Sequence, residues 1–481
     1  MFVGFTFQIY LARQIGAEGL GVFGLLQAGV TAASGLLGLG IAQVMVRFIP
    51  EHVRKQEYAE LHALVKGGFA LLAGMGLLGV AVVYSGLPLL VRQWPDLAGH
   101  ESEVLAAAIM LPLGLLLHAS TQALRGFLDI RYVVMGASIL QLTAKVLFSI
   151  LVFALGFYVA GYLWAVNLSM GVALAWMLFG IWRHLCRYPT GRNQGLRLLP
   201  AWRDYAKVMY GNNLLGFWAQ PLERFILGLT ASAAAVGVLV VANTLYMLPS
   251  VFLQMFLAIV APMLAAAASE NKMQEVGKIY HLSTDWLVRL SLPLIIFLAI
   301  FATQLLGLYG EGFTDKGPML LRLLLLAQFF NLIAGPMGNV LNMCGRERKM
   351  FVINTGSILL RAVLLLTIVP LFGLYGIALV VILVTLSVNS AALIVAWKSL
   401  GLQWWDAKYK AWCLPSVLTV LAGVGVHYWV ALNMYSLAAS LPLLYLVFHG
   451  SYILIHGFNP EDREILDAIR AKLPARITRF L

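Results

Sequence analysis

Charge is what this sequence has least of. Charged residues make up 11% of it, where a soluble globular domain carries about 25%. That shortfall excludes a water-soluble domain as the bulk of the chain. Acids are the scarcer sign, with 21 Asp and Glu against 33 Lys and Arg and a net charge of +12. Cysteine is nearly missing. Cys186, Cys344 and Cys413 stand at no framework spacing, so neither a disulfide nor a metal site is suggested. The nine His residues are scattered and form no ligand cluster, and no metal or cofactor is expected. A Gly-x-x-x-x-Gly-Lys phosphate loop is also lacking, which argues against ATP hydrolysis by this chain. No cleavable signal peptide is read at its start, and the first helix is expected to act as the targeting signal.

What is there is apolar. Hydrophobic residues make up 61%, gathered into fourteen stretches, and a spanning helix needs about 20 mostly apolar residues. The Lys and Arg residues fall into every second gap between them. Of the 33, 25 lie in one set of connections, counted with the stretch ends that border them (Arg47 to Lys66 is one such gap), 3 in the alternate set (Arg13, Arg92 and Lys316) and 5 deeper inside apolar stretches. Cytoplasmic loops collect Lys and Arg. The expectation is therefore an all-α, multi-pass membrane protein with both termini in the cytoplasm. The net charge is explained by loop topology and needs no nucleic-acid partner.

The stretches are Met1 to Ala12, Leu20 to Ile49, Ala63 to Val91, Val104 to Leu124, Val133 to Leu155, Val159 to Trp182, Val208 to Thr230, Ala234 to Ala266, Thr284 to Leu308, Pro318 to Cys344, Met350 to Phe372, Leu374 to Trp397, Ala411 to Leu432 and Leu437 to Ile455. The first is short for a span: either its helix is only partly inserted or the chain is trimmed at its start, and the second is expected. Trp94, Trp182, Trp202, Trp286, Trp397, Trp404, Trp405 and Trp412 sit near the ends, as an interfacial belt would. Past Phe458, Asn459-Pro460-Glu461-Asp462 reads as a helix start. Ile465, Leu466, Ile469 and Leu473 then give it one apolar face.

The chain repeats itself. Gly21-Val22-Phe23 is matched by Gly237-Val238-Leu239, Gly126 by Gly345, Ser138-Ile139-Leu140 by Ser357-Ile358-Leu359, and Gly156-Phe157-Tyr158 by Gly373-Leu374-Tyr375. The order is kept and the offsets run from 216 to 219. Six helices is an even number, so the halves run parallel, and transport sites in such folds lie between repeats near the midplane. This divides the chain into a six-helix half over 1–182, a linker over 183–207, a second half over 208–397, two further helices over 411–457 and a tail over 458–481.

Five cations lie inside apolar stretches: Lys145, Arg224, Arg289, Arg322 and Arg361. Arg289 and Arg322 are near expected ends, where they can snorkel. Arg224 follows Glu223, the one carboxylate well inside an expected span, and an ion pair or a functional role suits them equally. Lys145 and Arg361 are central. A cation there costs about 2.5–3.5 kcal/mol on the insertion scale, so each must face protein or water. Ser138, Gln141, Lys145 and Ser149 share one helical face at spacings of three and four, as do Asn354, Ser357 and Arg361. The candidate site is a cationic cavity lining of Lys145, Arg361, Gln141, Ser357, Asn354, Arg224 and Glu223, suited to anionic cargo. The alternative is hydrogen bonding between helices.

The run Leu11 to Phe23 resembles the first loop of bacterial oligosaccharide flippases. Leu37-Gly38-Leu39-Gly40, Arg47-Phe48-Ile49-Pro50, the stretch Asn339 to Arg346, the stretch Pro370 to Gly376 and Asn459-Pro460-Glu461-Asp462-Arg463 extend that resemblance over essentially the whole chain. The ordered set is similar to the polysaccharide-transporter branch of the multidrug/oligosaccharidyl-lipid/polysaccharide exporter superfamily. The resemblance implies two six-helix lobes and two extra helices. It also implies export of a polyprenyl-diphosphate-linked oligosaccharide by alternating access, with membrane lipids, a polysaccharide polymerase and other assembly proteins as partners. Two branches of the same superfamily compete: lipid II flippases, with fourteen helices, and cation-coupled multidrug antiporters. The antiporters usually have twelve helices and buried acids. An enzyme reading, a sugar polymerase or glycosyltransferase, needs acids or His on an outer loop, and the longest such loop, Arg92 to Glu103, offers no convincing pair.

Overall fold

The computed structural model describes residues 2–93, 99–188, 200–217, 219–403, 405–429 and 433–457. Trp94, Trp404, residues 189–199 of the expected linker and the amphipathic tail lie outside the described residues. The molecule is all-α, and among the described residues eleven helices are long and apolar enough to cross a membrane. Contacts divide it into two units. The first holds Met1–Val240, Tyr309–Gly312 and Ala362–Ile377; the second holds Val241–Leu308, Phe313–Arg361 and Ala378–Leu481.

In the first unit the order is α1 (Phe2–Leu37), α2 (Ile41–Lys55), α3 (Tyr58–Gln93), α4 (Glu101–Gly126) and α5 (Ile130–Val133). A π-helix over Val134–Leu140 leads into α6 (Gln141–Ala154), followed by α7 (Val159–Leu185), α8 (Pro200–Phe217), α9 (Ala219–Thr230) and the start of α10 (Ala233–Tyr246). α1 holds the expected first segment and most of the second, joined at Gly16 with φ 69°. The expected second segment does not run unbroken to Ile49. Leu39 (φ 48°) and Gly40 (φ 71°) are left-handed and end it. The break lets α8 dock, because a Cβ on Gly40 would stand 2.5 Å from the Ala206 carbonyl oxygen. Arg47 lies over the Tyr205 ring at 4.4 Å. Trp202 Nε1 donates to His52 Nε2 at 3.2 Å, which leaves the proton of His52 on Nδ1, facing Glu57 Oε2 at 2.7 Å. The core of this unit is a cluster including Met45, Ile49, Leu61, Leu72, Leu124 and Met177, all 3% exposed or less.

The second unit continues with α11 (Ser250–Ser269), α12 (Met273–Ile300), α13 (Ala302–Gly307), α14 (Gly317–Ile333), α15 (Met337–Met343), α16 (Glu347–Leu400, whose stretch 362–377 clusters with the first unit), α17 (Cys413–Trp429) and α18 (Met434–His456). α16 holds the expected eleventh and twelfth segments, joined at Gly373 with φ 54°. Gly156, its counterpart in the repeat, has φ 82° and joins the fifth to the sixth. Only a glycine takes such a turn without strain, which is why the match survives at these two positions.

Two expectations about charge are corrected here. Arg289 does not snorkel. α12 begins at Met273 rather than near Thr284, which puts Arg289 deep in the helix at 5% exposure. Its Nη1 donates to Asp285 Oδ2 at 2.9 Å and to the Tyr452 hydroxyl at 3.3 Å. Asp285 is therefore a second buried carboxylate within a span, beside Glu223. Trp412 Nε1 donates to its Oδ1 at 2.7 Å, and the cluster fastens α17 and α18 to α12. Arg322 is exposed, as a snorkelling side chain would be, and its Nε donates to the Ala299 carbonyl at 3.0 Å.

Candidate functional site

Lys145 lies a turn into α6, half-buried and far from both ends of the Ile130–Ala154 span. Its Nζ stands over the Phe7 ring at 5.6 Å from the centroid, a cation–π arrangement worth more when desolvated. Phe7 opens an aromatic cluster drawn from α1, α6 and α7. Phe7 and Tyr162 centroids are 6.4 Å apart, Tyr162 and Phe23 4.8 Å, and Tyr10 and Phe153 5.9 Å. Gln141 is half-buried one turn before Lys145. Ser149 is buried, and its hydroxyl donates to the Lys145 carbonyl at 2.6 Å rather than outward. The π-helix changes the register expected for Ser138. Its wider turns, closed by i→i+5 bonds, rotate Ser138 away from the Gln141–Lys145 face, and Ser138 is exposed.

On α16, Arg361 and Ser357 are half-buried and Asn354 is exposed. Ser357 donates its hydroxyl to the Asn354 carbonyl at 2.7 Å, so that oxygen is bonded within its own helix. Lys145 belongs to the first unit and Arg361 to the second.

Arg224 and Glu223 sit on α9. Glu223 is buried and Arg224 half-buried. Arg224 Nη1 reaches across to α1, to the Gly24 carbonyl and to Gln27 Oε1, each at 3.4 Å. The arginine thus holds Gln27 at the edge of a cavity that the sequence reading missed. This cavity has a volume of about 260 Å³, and its polar lining is Gln27, Thr31 and Ser34 of α1, Gln43 of α2 and His118 of α4. Gln27, Thr31 and Ser34 recur at spacings of four and three, a signal that was present in the sequence but sat inside an apolar run. A second cavity of about 280 Å³ shares Val30 with it and is otherwise apolar, walled by Leu25, Leu26, Val83, Leu111 and Phe225 among others. The first unit therefore offers amide and hydroxyl groups on one side of α1 and a greasy wall on the other. Among the described residues, no three His, Cys, Asp or Glu side chains group as a metal would need.

Outside the spans, Asp129 ends the α4 turn and ties three elements. Both its oxygens accept from Arg131, at 3.0 and 3.1 Å, and Oδ2 faces His184 Nε2 at 3.1 Å. The Arg131 guanidinium holds its carboxyl well down, at about 2, helped by the His184 bond.

A family model described as polysaccharide biosynthesis protein matches residues 1–268, and one described as MatE matches residues 209–367. A protein of Haloferax volcanii named as a probable low-salt glycan biosynthesis flippase, Agl15, is 22% identical over 432 residues, covering 88% of this chain and 85% of its own. Among solved structures, the lipid II flippase MurJ in an inward closed conformation aligns with a TM-score of 0.69 at 14% identity, over 94% of this chain and 96% of that one. An inward-facing multidrug resistance MATE family transporter of the MOP superfamily aligns with a TM-score of 0.67 at 14% identity, over 83% and 94%. At such identities the structural likeness speaks for the fold.

Proposed function

The chain belongs to the polysaccharide biosynthesis protein family of the multidrug/oligosaccharidyl-lipid/polysaccharide exporter superfamily, and from that premise we propose that it is a flippase for a polyprenyl-diphosphate-linked oligosaccharide. The diphosphate and sugars enter from the cytoplasmic side while the polyprenyl tail stays in lipid, and rocking of the two repeats exposes the head outward. The observation that carries this reading is Lys145, a cation kept at mid-span beside an aromatic cluster. Its insertion cost is offset only if something anionic or polar meets it. Lys145 and Arg361 attract the diphosphate, Gln141, Asn354 and Ser357 supply hydrogen bonds, and Arg224 with Glu223 orders the α1 side. The flippase name of the Haloferax relative supports the same class. Both termini lie in the cytoplasm in this reading, on the Lys- and Arg-rich side.

The test is the lipid that accumulates when the gene is deleted. A polyprenyl-diphosphate oligosaccharide building up in the cytoplasmic leaflet is the expected result. Accumulation of lipid II instead would move the protein to the branch that shares the fold of MurJ. No accumulated lipid-linked sugar of either kind would end the flippase reading.

A further inference from the structure

Within the second unit, the last three turns of α16 and the segment after it border an open groove of about 640 Å³. Ser390, Leu393, Ile394 and Trp397 line it from one face of α16, at spacings of three, one and three, and Gln403 and Trp405 close it from the following segment. The face extends about 10 Å along the helix axis. Ile394, Trp397 and Trp405 are 46–58% exposed, and at a span end the medium that meets such side chains is the bilayer boundary.

The segment is held firmly, so the groove is built rather than incidental. Trp405 packs edge-on against Tyr409 at 5.8 Å. The Tyr409 hydroxyl meets His281 Nδ1 at 2.8 Å, and its ring stacks on Trp412 at 4.4 Å. Trp412 in turn donates to the buried Asp285. Charge then selects the occupant. Lys398, which follows Trp397, and Lys408 and Lys410, three and five residues past Trp405, are all exposed, and the single acid between them in the chain is Asp406. Asp406 Oδ1 accepts the Lys408 backbone N–H at 3.0 Å, which turns it into a cap for the local turn. An apolar trough between two tryptophans, with exposed lysines following each of them in the chain, matches one acyl chain below one phosphate.

We infer that this groove binds an anionic phospholipid of the leaflet on the lysine-rich side. The site shares no residue with the cargo set and does not depend on what the cargo is. Basic residues at the surface of a membrane favour anionic lipid by about fivefold each at low ionic strength.

The experiment is native mass spectrometry of the purified full chain delipidated in detergent, with dioleoyl phosphatidylglycerol and dioleoyl phosphatidylcholine as probes. The wild-type chain is expected to retain phosphatidylglycerol at least tenfold over phosphatidylcholine. Replacing Lys398, Lys408 and Lys410 together by Gln, at exposed positions, brings that ratio near parity. Trp397→Ala lowers retention of both lipids while leaving the preference. Equal retention by the wild type, a triple variant that behaves like wild type, or unchanged retention in Trp397→Ala overturns the inference. So does displacement of phosphatidylglycerol by an equimolar amount of undecaprenyl phosphate, which would assign the groove to the lipid carrier.

Discussion

Gly21 of α1 and Gly237 of α10 occupy the space that each other's helix would need for a side chain. A Cβ on Gly21 would overlap the Ala233 carbonyl, and a Cβ on Gly237 would overlap the Ala17 carbonyl. The two contacts are the same contact taken twice, since 17 and 233, like 21 and 237, differ by the 216 of the internal repeat. Small residues four apart let helix backbones touch in this way. Gly21→Ala and Gly237→Ala should each lower the midpoint of thermal unfolding in detergent, at a cost of about 1–3 kcal/mol or more for overpacking backbone. Gly74→Ala, where nothing lies within 4 Å of the added carbon, should leave it unchanged or raise it.

Lys145→Ala and Arg361→Ala should leave membrane-inserted protein at normal abundance and cut export of surface polysaccharide about tenfold, as expected from losing a charge-assisted contact. Lys145→Arg and Arg361→Lys should keep more activity, because a diffuse anion needs charge more than one geometry. Arg361→Glu should be worse than Arg361→Ala. Export per unit of inserted protein, in a strain without the native copy, decides it. Full activity in both alanine variants would remove the cations from cargo recognition.

The Asp285–Arg289 pair calls for the opposite result. Arg289→Ala strands a buried carboxylate and should cost about 3–5 kcal/mol, read as a fall in thermal midpoint and in abundance. The double change Asp285→Asn with Arg289→Gln keeps an acceptor for Trp412 and removes both charges, and it should recover most of the loss. If the double variant is no better than Arg289→Ala, the charge imbalance is not the cause.

Asp129 gives a pH signature. Its carboxyl is held at about 2 in the folded chain, against about 3.9 in an unfolded one. Folding therefore favours the ionised form. The contribution is whole above about pH 4, declines as pH falls toward about 2, and is absent below it. Stability of Asp129→Asn should be lower than wild type near neutral pH, and the gap should close between about pH 4 and pH 2. A constant gap across that window would mean the carboxylate is not the source.

All three cysteines are free, and Cys186 and Cys413 are exposed. Cys186 lies in the Lys- and Arg-rich gap after α7. In a variant with Cys344 and Cys413 replaced by Ala, an impermeant maleimide should label Cys186 in inverted membranes and not in intact cells. Labelling in intact cells would reverse the orientation read from the charge asymmetry.

Much of this architecture could be read from the chain, and the failures have physical causes. Gly156 and Gly373 were visible because a left-handed joint tolerates little besides glycine. Gly21 and Gly237 were visible because a backbone contact excludes every larger residue. The polar cavity was not visible, since Gln27, Thr31 and Ser34 acquire meaning only when α4 brings His118 to them. Arg289 was misread because the polar first turns of α12 hid that the helix begins at Met273, and depth within a span depends on where the span starts. The seventh expected segment appears as α8 and α9, whose amphipathic turns carry Arg224 to one neighbour and bury Glu223.

The π-helix before Lys145 carries a surplus residue in its coil. Tightening that coil to ordinary α geometry would turn everything beyond it by about 100° relative to everything before it, with no bend in the axis. Lys145 and Gln141 sit just past the swivel. That surplus residue therefore sets the direction in which Lys145 faces relative to the turns before it.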